Sequence, residues 1–298
     1  MENKINLREE FIRLGAKTKF LPKLLEKDYH LTRILHKIID KGIKDIIFKG
    51  GTCLNKCYLG FYRLSEDLDF VYNQDVKNLT KVKIKIIIDD LRRRLFEVLN
   101  ELGLKTNKNL GQGWKMLTAV EDPKIIGLEI ITNFDSLIDN SVQIIKLEIS
   151  FRKKLINPTR IKAIKHEFID ALGQPILKEN IEIEVIDLSE NFAEKFRALV
   201  LRKNMAIRDI YDIFFIIKNK IINMSPKLIE LILIKINENS NKKFEKKDLI
   251  EFINNLKYKI SDIEDKEILS LLRSDEKVNI EEIILTIISE FKDEKTNI

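Results

Sequence analysis

The chain has 298 residues, 44% hydrophobic and 34% charged, which is enough apolar material for one large or two ordinary domains and argues against a disordered chain. Its 53 Lys and Arg against 47 Asp and Glu give a formal charge of +6, a mild bias toward polyanions that bears on association and not on fold. Two cysteines are too few for a disulfide framework and no apolar run reaches the roughly 18 residues of a membrane span, so the expected setting is the cytoplasm, without a membrane partner.

Met1 to Lys4 lead into a mixed-charge stretch without the apolar core of a signal peptide. From about Leu21 to Ile39, Leu24, Leu25, Leu31, Ile34, Leu35 and Ile38 recur at helical spacing, and Gly42 supplies a stop. Asp45 to Phe48 is a short apolar run bounded by Gly50 and Gly51, and reads as a buried strand. A helix is expected from Thr52 to about Leu59, with Cys53 and Cys57 on one inward face. His30, His36 and His166 form no cluster with those cysteines that would suit zinc. After a loop through Arg63, Asp67 to Tyr72 reads as a second strand. Its period of two puts Asp67 and Asp69 on one face and Leu68, Phe70 and Tyr72 on the other, with Glu66 pointing away from the aspartates.

Lys81 to Leu102 is helical in pattern, and its Arg92-Arg93-Arg94 cluster is either a solvated face or a contact for a nucleic-acid backbone. Past Gly103, strand-like runs at Trp114 to Val120, Ile125 to Thr132 and Val142 to Phe151 are separated by turn formers. Trp114 reads as core, and Gly111-Gln112-Gly113 is too short to name a second phosphate loop. In the last run Lys146 and Glu148 share the polar face, which makes Glu148 a candidate third carboxylate. Beyond about Asp187 the chain is helical. Ser189 is the expected N-cap of a helix from Asn191 to Lys203, and Ile207 to Lys218 carries Arg208, Asp209 and Asp212. Further helices are expected around Leu228 to Ile236, Lys247 to Leu256, Ile263 to Leu272 and Ile280 to Phe291, with a polar loop from Asn237 to Lys246.

Two carboxylates on one strand face bring hard oxygen ligands to one point, which suits Mg²⁺ shared with water and substrate phosphates. Gly50 and Gly51 let a backbone come close to a triphosphate, the following helix offers amide donors from its N-terminus, and Ser65 adds a hydroxyl. With Glu148 as a third acid, the set has what a two-metal phosphoryl or nucleotidyl transfer requires. On spacing alone, Lys195 and Glu194 read as a charged helix surface, and Arg208 with Asp209 as a local ion pair.

The order Gly50-Gly51-Thr52, then Ser65-Glu66-Asp67-Leu68-Asp69-Phe70, resembles the signature of the DNA polymerase β-type nucleotidyltransferase superfamily. More narrowly, Phe48 to Thr52, Arg63 to Phe70, Glu194-Lys195, Arg202 and Arg208 to Asp212 resemble the AbiEii family, the toxins of type IV abortive-infection toxin–antitoxin systems; Glu26-Lys27-Asp28-Tyr29 also fits. The resemblance implies an α+β fold with a polymerase β-like core, a small mixed sheet with flanking helices, plus a C-terminal helical bundle. It implies a nucleotidyltransferase domain over residues 1–187 and a helical domain over 188–298 that completes the active site. Gly50, Gly51, Thr52 and Ser65 would hold the nucleotide, Asp67, Asp69 and Glu148 would bind Mg²⁺, Lys195 would contact the phosphates, and Asp209 would close the site. The implied partners are an NTP, an RNA acceptor with the tRNA 3′ end favoured, and a cognate antitoxin. Two other readings stand beside this one: transfer to a small molecule, as in antibiotic-modifying members of the superfamily, and a non-catalytic binding protein on the same fold.

Overall fold

A computed structural model describes residues 6–76, 78–118, 125–151, 155–202, 204–238, 243–259 and 266–292. Met1 to Lys4, the expected element ends at Val120, Lys203 and Ile263, and the middle of the 237–246 loop lie outside these residues. The chain divides into two units, Met1–Ile186 and Asp187–Ile298.

The first unit opens with α1 (Leu7–Thr18) and α2 (Pro22–Asp40). Helix α1 ends where Lys19 turns left-handed (φ 67°) and its N–H bonds back to the Gly15 carbonyl, while α2 starts on Pro22, whose missing N–H costs nothing in a first turn. Then come β1 (Ile46–Lys49), α3 (Gly50–Cys53) running into a π-helical stretch (Leu54–Leu59), and β2 (Asp67–Tyr72). Helix α4 (Lys81–Glu101) is capped by the Thr80 side chain, which accepts from the Lys83 N–H. The remaining strands are β3 (Lys105–Thr106), β4 (Trp114–Thr118), β5 (Ile125–Asp135), β6 (Val142–Ser150), β7 (Arg160–Ala163) and β8 (Glu182–Val185).

These strands form one mixed sheet in the order β3-β5-β6-β2-β1-β8-β7, with β4 also paired to β5. Strands β2 and β6 are parallel, as are β1 and β8, and the other pairs are antiparallel. One face carries Leu68, Phe70, Leu128, Ile130, Leu147 and Ile149, which are buried in one core with Leu31, Ile34 and Leu35 of α2 and Ile88, Leu91, Leu95 and Leu99 of α4. The strand period therefore turns the alternate residues, Asp67, Asp69, Lys146 and Glu148, to the opposite face. The amphipathic stripe of α4 and the apolar face of β2 are two halves of that core.

The second unit is helical: α5 (Leu188–Leu201), α6 (Ile207–Lys218), α7 (Pro226–Asn237), α8 (Lys246–Asn254), α9 (Leu256–Lys259), α10 (Lys266–Leu271) and α11 (Ile280–Lys292). The cap of α5 is Asp187, whose carboxylate accepts the Ser189 N–H at 3.0 Å, so Ser189 lies inside the helix and is not its cap. Asp187 supplies the acceptor one turn earlier than the apolar pattern begins. Phe192, Phe196, Ile210, Ile213, Ile232 and Ile287 are buried here. So is Lys235, held by Glu190 (2.5 Å), Glu238 (3.2 Å) and Glu194 (3.7 Å). Burial disfavours its charge, but the three carboxylates outweigh that cost and raise its pKa.

The expected α+β class is what is observed, a mixed sheet with flanking helices followed by helices to the C-terminus. Helix α1 and the short strands β3, β7 and β8 were not expected. Among the described residues no helix is long and apolar enough to cross a membrane.

Candidate active site

Strand β2 lies between β1 and β6, and the registers on its two sides build the site. Asp69 stands opposite Lys49 of β1 and beside Glu148 of β6, while Asp67 stands beside Lys146. The Lys146 Nζ is 3.9 Å from the Asp67 carboxylate. The rank through Asp69 and Glu148 continues to Glu129 of β5 and Lys115 of β4. One line of side chains therefore crosses five strands as Lys49, Asp69, Glu148, Glu129 and Lys115. Glu129 is buried and its carboxylate meets the Lys115 Nζ at 2.9 Å. Nothing in the sequence reading named Glu129. The signal was there, a lone acid in the middle of an apolar run, which is the pattern that singled out Glu148.

The two glycines gather the rest. Gly50 has φ +75°, and a Cβ there would lie 2.3 Å from Asp69 Oδ2 and 2.8 Å from Asp69 Cβ. A Cβ on Gly51 would lie 2.7 Å from a guanidinium nitrogen of Arg63 and 3.1 Å from Ser65 Oγ. The space that side chains would fill is thus occupied by Asp69, Arg63 and Ser65, which brings the Gly50–Gly51 backbone, the strand aspartate and the serine hydroxyl together. Arg63 is buried and donates to the Leu64 carbonyl at 2.8 Å. Thr52 is also buried, and its hydroxyl donates to the backbone carbonyl of Asp67 at 2.5 Å. That hydroxyl ties α3 to β2, and a nucleotide contact at Thr52 would fall to its main chain. Cys53 and Cys57 pack inward as expected, and burial together with the neighbouring Cys57 thiol pushes the Cys53 pKa up.

Behind this face, α2 is fastened by charge. Glu66 pairs with Lys27 at 2.8 Å, so it is committed to α2. Lys56, in the π-helical stretch, is fully buried and donates to Asp28 and to the Thr32 hydroxyl, each at 2.8 Å. Glu26 accepts from the Ser136 hydroxyl (2.5 Å) and the Leu137 N–H (2.7 Å). The Glu26-Lys27-Asp28 run is therefore a set of anchors for the loop before β2, the π-helical stretch and the β5–β6 turn. The arginine cluster of α4 is paired as well: Arg92 with Asp89, Arg93 with Asp90 and Glu97, and Arg94 with Asp45 and Asp90. Trp114 is half-buried, with the Arg92 guanidinium 4.4 Å above its ring.

Lys195 and Asp209 belong to the second unit and meet there. The Lys195 Nζ lies 2.8 Å from both Asp209 and Asp212, and Arg202 also bonds Asp209. Lys195 is buried, so the solvated surface lysine suggested by its spacing is not what is found. The late motif is a buried cation held by two carboxylates.

Among the described residues no group of three His, Cys, Asp or Glu side chains is gathered tightly enough to hold a metal by itself. Mg²⁺ does not need one. It is commonly bound through one or two carboxylates, with water and substrate phosphates completing the octahedron. Asp67 and Asp69, hard donors on one strand face beside the Gly50 turn, fit that requirement.

Comparison with known proteins adds to this geometry. Two solved structures are similar over most of the chain: JHP933 from Helicobacter pylori, 17% identical with a TM-score of 0.48 and 92% of each chain covered, and a candidate nucleotidyltransferase from H. pylori, 18% identical with a TM-score of 0.49, covering 90% of this chain and 92% of that one. No curated protein sequence matches. A family model described as nucleotidyl transferase AbiEii toxin, type IV TA system, matches residues 33–284, which takes in β1, β2, β6 and the Lys195 and Asp209 helices. With most of its length matched by that model, the chain belongs to the AbiEii family of nucleotidyltransferase toxins.

Proposed function

We propose that this nucleotidyltransferase transfers an NMP from an NTP to RNA, with the tRNA 3′ end as acceptor and Mg²⁺ as cofactor, and slows growth by disabling translation. The observation that carries the reading is the rank in which Asp69 stands beside Glu148, with the Gly50 turn against Asp69. The hydroxyl oxygen of the acceptor attacks the α-phosphorus, the bond to the β-phosphate oxygen breaks, and pyrophosphate leaves with the electron pair. The Gly50–Gly51 main chain and Ser65 bind the triphosphate, and Lys146, beside Asp67, offsets its charge. Asp67, Asp69 and Glu148 supply oxygen donors for Mg²⁺, and Glu148 also takes the proton of the acceptor hydroxyl. When bound, the cation neutralises charge developing on the leaving group. The family resemblance gives Lys195 the role of phosphate contact, and within the helical unit Asp209 and Asp212 hold its ammonium at 2.8 Å each. The family implies an antitoxin partner, and we place the pair in the cytoplasm.

The test is incubation with each labelled NTP, Mg²⁺ and total RNA, alongside Asp67→Ala. Label is expected in a tRNA-sized species with wild type and not with the variant, while the circular dichroism of both is the same. Equal labelling by Asp67→Ala would sink the assignment, and label appearing only in small molecules would redirect the acceptor.

A further inference from the structure

Glu129 belongs to the rank of charges across the sheet and has no part in the transfer reaction. Glu129 is directly opposite Glu148 in the antiparallel β5–β6 pair, so two carboxylates face each other across one strand gap. Like charges so placed are destabilising unless something compensates. The compensation is Lys115, one strand further out, 2.9 Å from Glu129 and about half exposed. Resting on the proposed transfer site, we infer that Glu129 is a positioning residue: it keeps Lys115 engaged, and so keeps that ammonium from pairing with Glu148 and drawing it out of the site.

The geometry makes the diversion feasible. Lys115 and Glu148 are two strand spacings apart, about 9.5 Å between backbones. An extended lysine and an extended glutamate together span that gap along the sheet face. With Glu129 between them, the ammonium meets the nearer carboxylate first. Glu129 is also the more buried partner, 7% exposed, and a carboxylate so deeply placed needs its cation more than a solvated one does. Glu129 thus acts through Lys115, from one strand behind Glu148. Residues that orient metal-binding groups from one step behind commonly change metal affinity by about 10- to 100-fold when removed.

Two variants separate this role from a structural one. Glu129→Gln keeps the shape and releases Lys115; Glu129→Gln with Lys115→Met removes the ammonium as well. The probe is Mn²⁺, with bound and free ion counted by electron paramagnetic resonance on the full-length protein, and with urea unfolding followed for each variant. Glu129→Gln is expected to weaken Mn²⁺ binding about tenfold, and the double variant to recover most of that loss. A single variant that binds like wild type would overturn the proposal. So would a double variant as weak as the single one, because Glu129 would then act as a ligand or as part of the scaffold. Absence of Mn²⁺ binding by wild type, equal to that of Asp67→Ala, would overturn the metal site itself and this inference with it. Wild-type Mn²⁺ binding with no transfer to any RNA would remove the proposed acceptor and leave the Glu129 result readable.

Discussion

Gly50→Ala probes the point where the turn and the strand aspartate meet. The backbone at Gly50 has φ +75°, a left-handed conformation that costs an L-residue about 1–2 kcal/mol. The new methyl would also sit 2.3 Å from Asp69 Oδ2 and 2.8 Å from Asp69 Cβ, and forcing an extra methyl into a filled space costs about 1–3 kcal/mol more. The sum, about 2–5 kcal/mol, is a large share of the roughly 5–15 kcal/mol that holds a domain. Gly42→Ala is the internal control: its φ is +65° and nothing lies within 4 Å of its Cβ position, so it carries the backbone cost alone. The assay is urea unfolding followed by fluorescence of the single tryptophan, Trp114, which reports on the sheet unit. Gly50→Ala should unfold at clearly lower urea than Gly42→Ala and lose transfer under conditions where it is still folded. Equal midpoints for the two variants would refute the close approach of Gly50 to Asp69.

Other outcomes follow from the buried charges. Lys56→Met leaves Asp28 buried without its cation and should cost about 3–5 kcal/mol in the same unfolding assay, whereas Lys56→Met with Asp28→Asn should recover much of it; additive losses would refute the pairing. Lys195→Met removes the buried cation that Asp209 and Asp212 share, so calorimetry should register a destabilised helical unit, and transfer lost without any drop in stability would instead assign Lys195 a direct role only. Burial, then His166 and Lys56, lowers the pKa of His36 from 6.5 to about 4, so the unfolded chain takes up this proton first and stability falls as pH drops from 6.5 toward 4. Each pH unit within that window should remove about 1.4 kcal/mol that His36→Gln does not lose, measured as the difference in unfolding midpoint at pH 6.5 and pH 5.

What the sequence determined by itself was local. The alternation of Asp67 to Tyr72 set which side of the strand bears the carboxylates, and the observed β2 has those bounds. The same holds for α4 and α6, whose apolar spacing marks their buried faces before any partner is known. The pattern at Glu148 was equally readable, since one acid in an apolar strand is expensive to bury and so stands out. Only the tertiary structure decided which strand lies beside which, and with it which charges share a rank. Parallel pairing of β2 with β6 joins residues about 80 positions apart, and no spacing rule reaches across such a loop. That pairing made neighbours of Asp69 and Glu148, and the β5–β6 register added Glu129. It also settled cases where spacing leaves two outcomes open. Lys195 looked like a surface residue because a helix shows its own face in the sequence but not what packs on it, and it proved to be a buried cation between Asp209 and Asp212. Thr52 and Glu66 have the right chemistry for a nucleotide site, yet one hydroxyl is committed to the Asp67 carbonyl and one carboxylate to Lys27. A side chain's chemistry is written in its residue type, while the partner it spends that chemistry on is chosen by the long-range packing of the chain.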